Sequence, residues 1–382
     1  MIDIVLSERD FDYELQALVT GFFPGVHNRV LIQPEQEDAA LFELAERESG
    51  DGISLLTGVF LGQYEIRGWV LGKGHLHRNS VSVSGGQDFH KHVDKTTHPY
   101  RTTYKNKLKK LLFELYSSIP EEELPEGIQR SIPVWGTMTG VRPTKIPMNR
   151  LLEGEPLEQV RRSMEEEYCC SGGKAELCLD IAVREAKLLQ KAEYDKGYSL
   201  YIAIPFCPST CLYCSFPSYP LERFQALIPD YLEALKKEIR FCAGLQRGKR
   251  LTSVYIGGGT PTTLSAGQME ELLQCLYESF PVNEAAEITV EAGRPDSITR
   301  EKLMVLRKFD VERISVNPQT MQDKTLQSIG RHHTVEQTKE VFALARECGF
   351  ENINMDLIIG LPGETPEDFE NTLEQIRKLD PD

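Results

Sequence analysis

An α/β fold with a parallel sheet and helices outside it is the expectation for the C-terminal half of this 382-residue chain. Three observations carry it. From about residue 198 onward, short apolar, β-branched runs alternate with amphipathic helical stretches. Each run delivers a polar residue or a candidate ligand loop at or near the same end. The first two hundred residues lack that alternation and read as a small α+β module followed by a helical connector.

Residues 1–100 hold short alternating runs, of which 64–71 (YEIRGWVL) is an example, and form the expected α+β module. His75, His77, His90 and His92 make two His-x-His pairs, each placing both rings on one strand face if extended. Such pairs suit surface strands, and they also suit metal or haem ligation. Between residues 91 and 110 there are seven Lys and Arg against one Asp. A solvated helix face and a surface for RNA or an acidic partner are both open here. Residues 108–116 continue as an amphipathic, docked helix.

Residues 101–196 are the expected connector. They contain Val134-Trp-Gly-Thr-Met-Thr-Gly-Val-Arg-Pro-Thr-Lys145, then acidic helices over 150–195. Cys169, Cys170 and Cys178 read as structural thiols, since adjacent cysteines rarely ligate one ion together. The third segment, 197–382, carries predicted strands at 199–204, 252–256, 287–292, 311–316 and 352–360. Predicted helices occupy 229–245, 266–280, 299–309, 335–349 and 366–379. Cys242, Cys275 and Cys348 fall in these helices and read as core.

The chemistry concentrates after the first of those strands. Cys207, Cys211 and Cys214 stand in the spacing C-x3-C-x2-C. Structural zinc and Fe–S clusters normally take four protein ligands. Three thiolates can hold three irons of a cube and leave the fourth open to a small molecule. A zinc knuckle with a distant fourth ligand, or three unrelated thiols, are the alternatives, although no second C-x2-C or H-x3-H pair occurs. The second strand runs into Gly257-Gly-Gly-Thr-Pro261, where missing side chains let backbone groups approach a ligand, or simply make a turn. Glu291, Gln319 and Asp356 follow at or beyond later strand ends.

The cysteine loop, Gly257–Pro261, Glu291, Asn317-Pro-Gln319, Gly330-Arg331 and Asp356-Leu-Ile-Ile-Gly-Leu-Pro362, in that order, resemble the radical S-adenosylmethionine (SAM) enzymes. Within them the set is most similar to the oxygen-independent coproporphyrinogen III oxidase group, over residues 198–380. The motif at 134–145 resembles the HemZ-type branch of that group. The resemblance implies an incomplete (β/α)6-type parallel barrel. It implies a [4Fe-4S] cluster on Cys207, Cys211 and Cys214 whose open iron SAM would chelate through its amino and carboxylate groups.

Tyr201, six residues before the first ligand, would lie beside the cluster and SAM in a catalytic role. Tyr213 matches the aromatic that packs by adenine, and Gly258, Gly259 and Thr260 match contacts to the methionine part of SAM. Glu291, Gln319, Arg331 and Asp356 match positions that hold its amino group, ribose or carboxylate, chemistry that acids and a guanidinium supply well. Taken singly, each of these is an ordinary strand-end carboxylate, surface cation or turn residue; their order behind the cysteine loop lifts them. His332 and His333 are expected at a helix edge or at the surface, and no role is assigned to them.

The implied reaction is one-electron cleavage of the sulfonium, then hydrogen abstraction from a propionate side chain that loses CO2 to become vinyl. On this resemblance the chain would be a coproporphyrinogen dehydrogenase-like oxidoreductase of haem biosynthesis. Its partners would be a tetrapyrrole substrate and an electron donor such as flavodoxin or ferredoxin. One departure bears on the substrate: Phe216 stands where the coproporphyrinogen enzymes proper carry a further cysteine. Related members with phenylalanine there include haem-binding chaperones, so haem or porphyrin trafficking with little turnover is the second reading.

Composition agrees with this class. A net charge of −15, from 43 Lys+Arg against 58 Asp+Glu, disfavours nonspecific nucleic-acid binding. Nine cysteines without disulfide-like spacing fit a reducing, cytoplasmic setting. Residues 1–10 lack a basic segment before an apolar core, and no run is long enough to span a membrane. Family barrels carry a sixth strand and a substrate-covering region, so the end at Asp382 is expected to mark a fragment.

Overall fold

The computed structural model describes residues 1–32, 55–62, 65–83, 99–140 and 142–382. The chain folds as two compact units, Met1–Leu188 and Leu189–Asp382.

In the first unit, strands β1 (Ile2–Leu6), β2 (Asn28–Ile32), β3 (Leu55–Leu61), β4 (Glu65–Gly72) and β5 (His75–Ser82) form one sheet in the order β2-β1-β3-β4-β5. β1 is parallel to both neighbours, while β3, β4 and β5 pair antiparallel. Helices α1 (Asp12–Phe22) and α2 (Pro99–Ser118) share one core with Ile4, Val59, Ile66 and Val70. Val5, Leu56, Trp69 and Leu71 form a second core. The expected alternation in β4 therefore gives way to a nearly continuous buried run. Gly58 makes room for Trp69, because a Cβ there would lie 2.1 Å from the indole.

Helix α2 departs from one expectation. It belongs to the first unit rather than opening a connector, since Tyr104, Leu108, Leu111 and Leu115 complete the sheet's core. Three of its lysines are tethered. Lys107 Nζ donates to Ser82 O, Lys109 Nζ to Thr139 Oγ1 and Lys110 Nζ to Glu166 O, at 2.7, 2.8 and 2.7 Å. Desolvation, reinforced by Lys105, lowers Lys109 to about 8. Helices α3 (Lys145–Leu152), α4 (Leu157–Glu166) and α5 (Gly172–Lys191) follow. Cys170 and Cys178 are buried with Met138, Met164 and Ala175, and burial pushes the Cys178 thiol up to about 11. His77 Nε2 lies 2.6 Å from Glu123 Oε2 and His75 Nδ1 3.7 Å from Glu123 Oε1. His90 and His92 lie outside the described residues.

The second unit holds β6 (Gly197–Ile204), the short pair β7 (Phe206–Cys207) and β8 (Tyr219–Pro220), β9 (Arg250–Gly258), β10 (Glu287–Gly293), β11 (Arg313–Val316) and β12 (Asn352–Asn354). Its five-stranded sheet has the order β12-β11-β10-β9-β6, parallel throughout. Helices α6 (Leu221–Phe224), α7 (Ile228–Leu245), α8 (Ala266–Ser279), α9 (Arg300–Lys308), α10 (Asp323–Ser328), α11 (Val335–Glu347) and α12 (Pro366–Leu379) connect or follow the strands. Capping boxes start three of them, from Ser265, Thr334 and Thr365; such a cap contributes about 1 kcal/mol. Ile202, Val254, Ile288, Ile314 and Ile353 from the strands pack with Leu235, Leu272, Leu306 and Phe342 from the helices. The expected parallel α/β series is present.

The last strand is shorter than expected, ending at Asn354 rather than Gly360. Its partner β11 stops at Val316, and Pro318 has no N–H to continue the ladder. Pairing resumes only at Gln319 and Leu357. No described helix is long and apolar enough to cross a membrane.

Candidate active site

All strands of the parallel sheet run the same way, so their carboxyl ends open onto one edge, where open α/β folds bind ligands. A cavity of about 490 Å³ lies there. Cys207, Cys211 and Cys214 line it together with Gly258, Gly259 and Thr260. Tyr201, Tyr213, Glu291, Gln319, Arg331 and Asp356 line it too, so every site residue singled out from the sequence faces the same cavity.

The cysteine loop is clamped on two sides. As it leaves β6, Ile204 O accepts from Gly259 N and Phe206 O from Thr260 N, both at 2.8 Å. Thr260 Oγ1 donates to Cys207 Sγ at 3.6 Å. Only glycine fits at 259: a Cβ would stand 2.7 Å from Phe206 O and 2.9 Å from Cys207 Sγ. Gly258 has φ 108°, which a side chain would also disfavour. On the other side, Leu212 N donates to Ile329 O and Ser209 Oγ to Gly330 O, both at 3.0 Å. Arg331 Nε donates to the Tyr213 hydroxyl at 3.2 Å, and Arg331 Nη1 to Asn317 O.

Glu291 sits near the end of β10. Burial and then the neighbouring Asp356 raise its pKa above the usual carboxylate value, against the stabilising Gly258 N–H and Tyr255 hydroxyl. Tyr201 stacks on Tyr255, with ring centroids 5.7 Å apart and planes 9° from parallel. Gln319 holds φ 68°, a costly conformation for a residue with a side chain. Its backbone is pinned there by Gln319 N to Asp356 O at 3.1 Å and Ile358 N to Gln319 O at 2.9 Å.

Two nearby residues escaped the sequence reading. Arg294, just beyond β10, is buried and lines the same cavity; a lone cation after a strand carries no signal of that placement. His333 stands at a helix edge, one of the two places expected for it, yet it is 2% exposed and neither ring nitrogen has a hydrogen-bond partner. Burial and then Arg331 push its pKa down to about 4, which keeps the imidazole neutral at pH 7. His332 is exposed, as expected.

The family model of the radical SAM superfamily matches residues 201–376, the stretch that builds this edge. Residues 201–376 form a radical SAM domain. The chain is 43% identical over 252 residues to the oxygen-independent coproporphyrinogen-III oxidase-like protein HemZ of Bacillus subtilis, covering 65% of this chain and 50% of that protein. It is 38% identical over 183 residues to the heme chaperone HemW of the same organism, covering 48% of each. It is 38% identical over 203 residues to the oxygen-independent coproporphyrinogen III oxidase of Escherichia coli, covering 52% of this chain and 43% of that one. The chain thus spans about half the length of the curated relatives it matches.

Radical SAM proteins use a [4Fe-4S] cluster and SAM, and the donors present fit that pair. Each thiolate of a cube binds a different iron, so the three sulfurs surround one cluster rather than meet at one point, and all three cysteines line this cavity. A single zinc ion needs its ligands to converge within about 2.3 Å of one point. Among the described residues no three His, Cys, Asp or Glu side chains are so placed. Beside the thiols, the cavity offers the glycine-cleared backbone at 258–259 and the Glu291 and Asp356 carboxylates, acceptors suited to an ammonium and to ribose hydroxyls.

Proposed function

We propose that this radical SAM chain acts on a porphyrinogen, by oxidative decarboxylation of coproporphyrinogen III or a closely related tetrapyrrole reaction. The observation that carries the reading is the single cavity shared by the cysteine loop and the polar strand-end residues. Cys207, Cys211 and Cys214 would hold the cluster. When bound, the cluster and SAM supply one-electron cleavage of the sulfonium and hydrogen-atom abstraction. Glu291 and Asp356 would accept hydrogen bonds from the SAM ammonium or ribose, and Gln319 would present its amide from a pinned backbone. Tyr201, stacked on Tyr255, would stand beside the cluster and SAM as the catalytic tyrosine. Arg331 already donates through Nε and Nη1. A grip on the SAM carboxylate through Nη2 and the second Nη1 hydrogen would keep those bonds, whereas one along the Nε–Nη2 edge would break the bond to Tyr213. The reductant would be a small one-electron donor such as flavodoxin or ferredoxin, in a reducing cytoplasm.

A second reading is supported by one residue. Phe216 lines the cavity and is 71% exposed, at the position where the resemblance sets a cysteine in the oxidases proper. An apolar ring there suits the face of a bound tetrapyrrole without supplying a thiol, as a haem- or porphyrin-trafficking protein would need. Anaerobic incubation with dithionite and SAM, with and without coproporphyrinogen III, separates the two. Substrate-stimulated 5′-deoxyadenosine and a vinyl product support the oxidase. Haem binding without stimulated cleavage supports trafficking.

A further inference from the structure

Arg294 reaches from the end of β10 back to the cysteine loop. Its residue is 3% exposed. Nε and Nη2 donate to Asp296 Oδ1 and Oδ2 at 3.1 and 2.8 Å. Nη1 donates to Ser209 O at 3.2 Å and Ser209 Oγ at 2.9 Å, and lies 3.7 Å from Cys211 Sγ. In a planar guanidinium the Nε–Nη2 edge lies opposite Nη1. The ion pair is therefore oriented, with its positive end on the loop and its carboxylate beyond the guanidinium.

We propose that Arg294 positions the cysteine loop and raises the reduction potential of the cluster held there. The proposal rests on the reading of Cys207, Cys211 and Cys214 as cluster ligands. One electron from an external donor adds one negative charge to a cluster. A cation close by in a low-dielectric site stabilises that reduced form, and so does a donor to a ligand sulfur. Asp296 opposes the effect, but the guanidinium stands between it and Cys211, so the cation dominates. Asp296 has its own task, because a buried guanidinium is costly without a counter-ion. Burial would raise the Asp296 carboxyl, yet the Arg294 hydrogen bonds override it and hold the carboxyl below its usual value. Neither residue belongs to the set assigned to SAM above.

The test is a redox titration of the reconstituted protein, following the EPR signal of the reduced cluster in Arg294→Met, Arg294→Lys and Asp296→Asn. Arg294→Met should shift the midpoint to more negative potential, and Arg294→Lys should shift it less in the same direction. Asp296→Asn should shift it the opposite way, a reversal that a purely structural tie would not produce. Arg294→Met and Asp296→Asn moving together, or Arg294→Met matching wild type, would overturn the proposal. If Arg294→Met takes up no iron, Asp296→Asn decides alone, and a midpoint that fails to rise overturns it. A wild-type protein with no reducible cluster sinks the ligand reading itself, which a shiftless but clustered protein does not.

Discussion

Arg331 Nε donates to the Tyr213 hydroxyl at 3.2 Å, tying the turn after α10 to the residue between the second and third cysteines. Arg331 is 5% exposed, so losing that acceptor strands a buried charged donor. Tyr213→Phe should cost ~1–2 kcal/mol and speed iron loss to a chelator. Denaturant unfolding and a timed chelation assay measure both, and wild-type values in both would show that the bond does not hold the loop.

Gly259 should tolerate no side chain. With Phe206 O and Cys207 Sγ within 3 Å of a Cβ, and both in the clamped start of the loop, Gly259→Ala must displace the first ligand. The expected outcome is a folded protein that binds little iron after reconstitution. Full iron and sulfide content in Gly259→Ala would refute the clamp.

Glu291→Gln should leave iron uptake intact and weaken SAM binding roughly 10- to 100-fold, the worth of a charge-assisted hydrogen bond. Because burial and Asp356 raise the Glu291 pKa, the folded protein takes up this proton more readily than an ordinary carboxylate does. SAM affinity should therefore begin to fall at a higher pH on acidification than an ordinary carboxylate would give. Calorimetric titration across pH reads this; an equal fall in Glu291→Gln would assign it to another group.

His333 should make the radical SAM unit acid-labile. Folded, it protonates near pH 4, and an unfolded histidine does so near 6.5. Between those values the unfolded chain binds more protons, so stability is full above about 6.5, falls as pH drops, and levels off near 4. The loss amounts to at most about 3 kcal/mol. His333→Leu should flatten that part of the stability profile, and an unchanged slope would place the acid sensitivity elsewhere.

Much of this architecture is readable along the chain because its causes are local. Apolar strand runs, amphipathic helical stretches and the C-x3-C-x2-C spacing all act over a few residues. What escaped depends on contacts between distant segments. Arg294 meets Cys211 across 83 positions, and Lys109 is buried by Thr139 and its surroundings rather than by its own helix pattern. His333 resembles any polar residue before a helix until packing closes over it. The early end of β12 reflects a proline in its partner, a pairing that neither segment reveals alone. The assignment of helix α2 to the first unit has the same origin, since its apolar face finds its match in strands far upstream.

On the proposed function, Cys207, Cys211 and Cys214 would hold a [4Fe-4S] cluster whose open iron takes SAM in this cavity. The most direct measurement is the EPR spectrum of the anaerobically reconstituted, dithionite-reduced protein before and after SAM is added. The reduced-cluster signal should change on SAM addition, change far less in Glu291→Gln, and be absent in Cys211→Ala. A colourless, zinc-loaded protein, or a cluster signal indifferent to SAM, would contradict it.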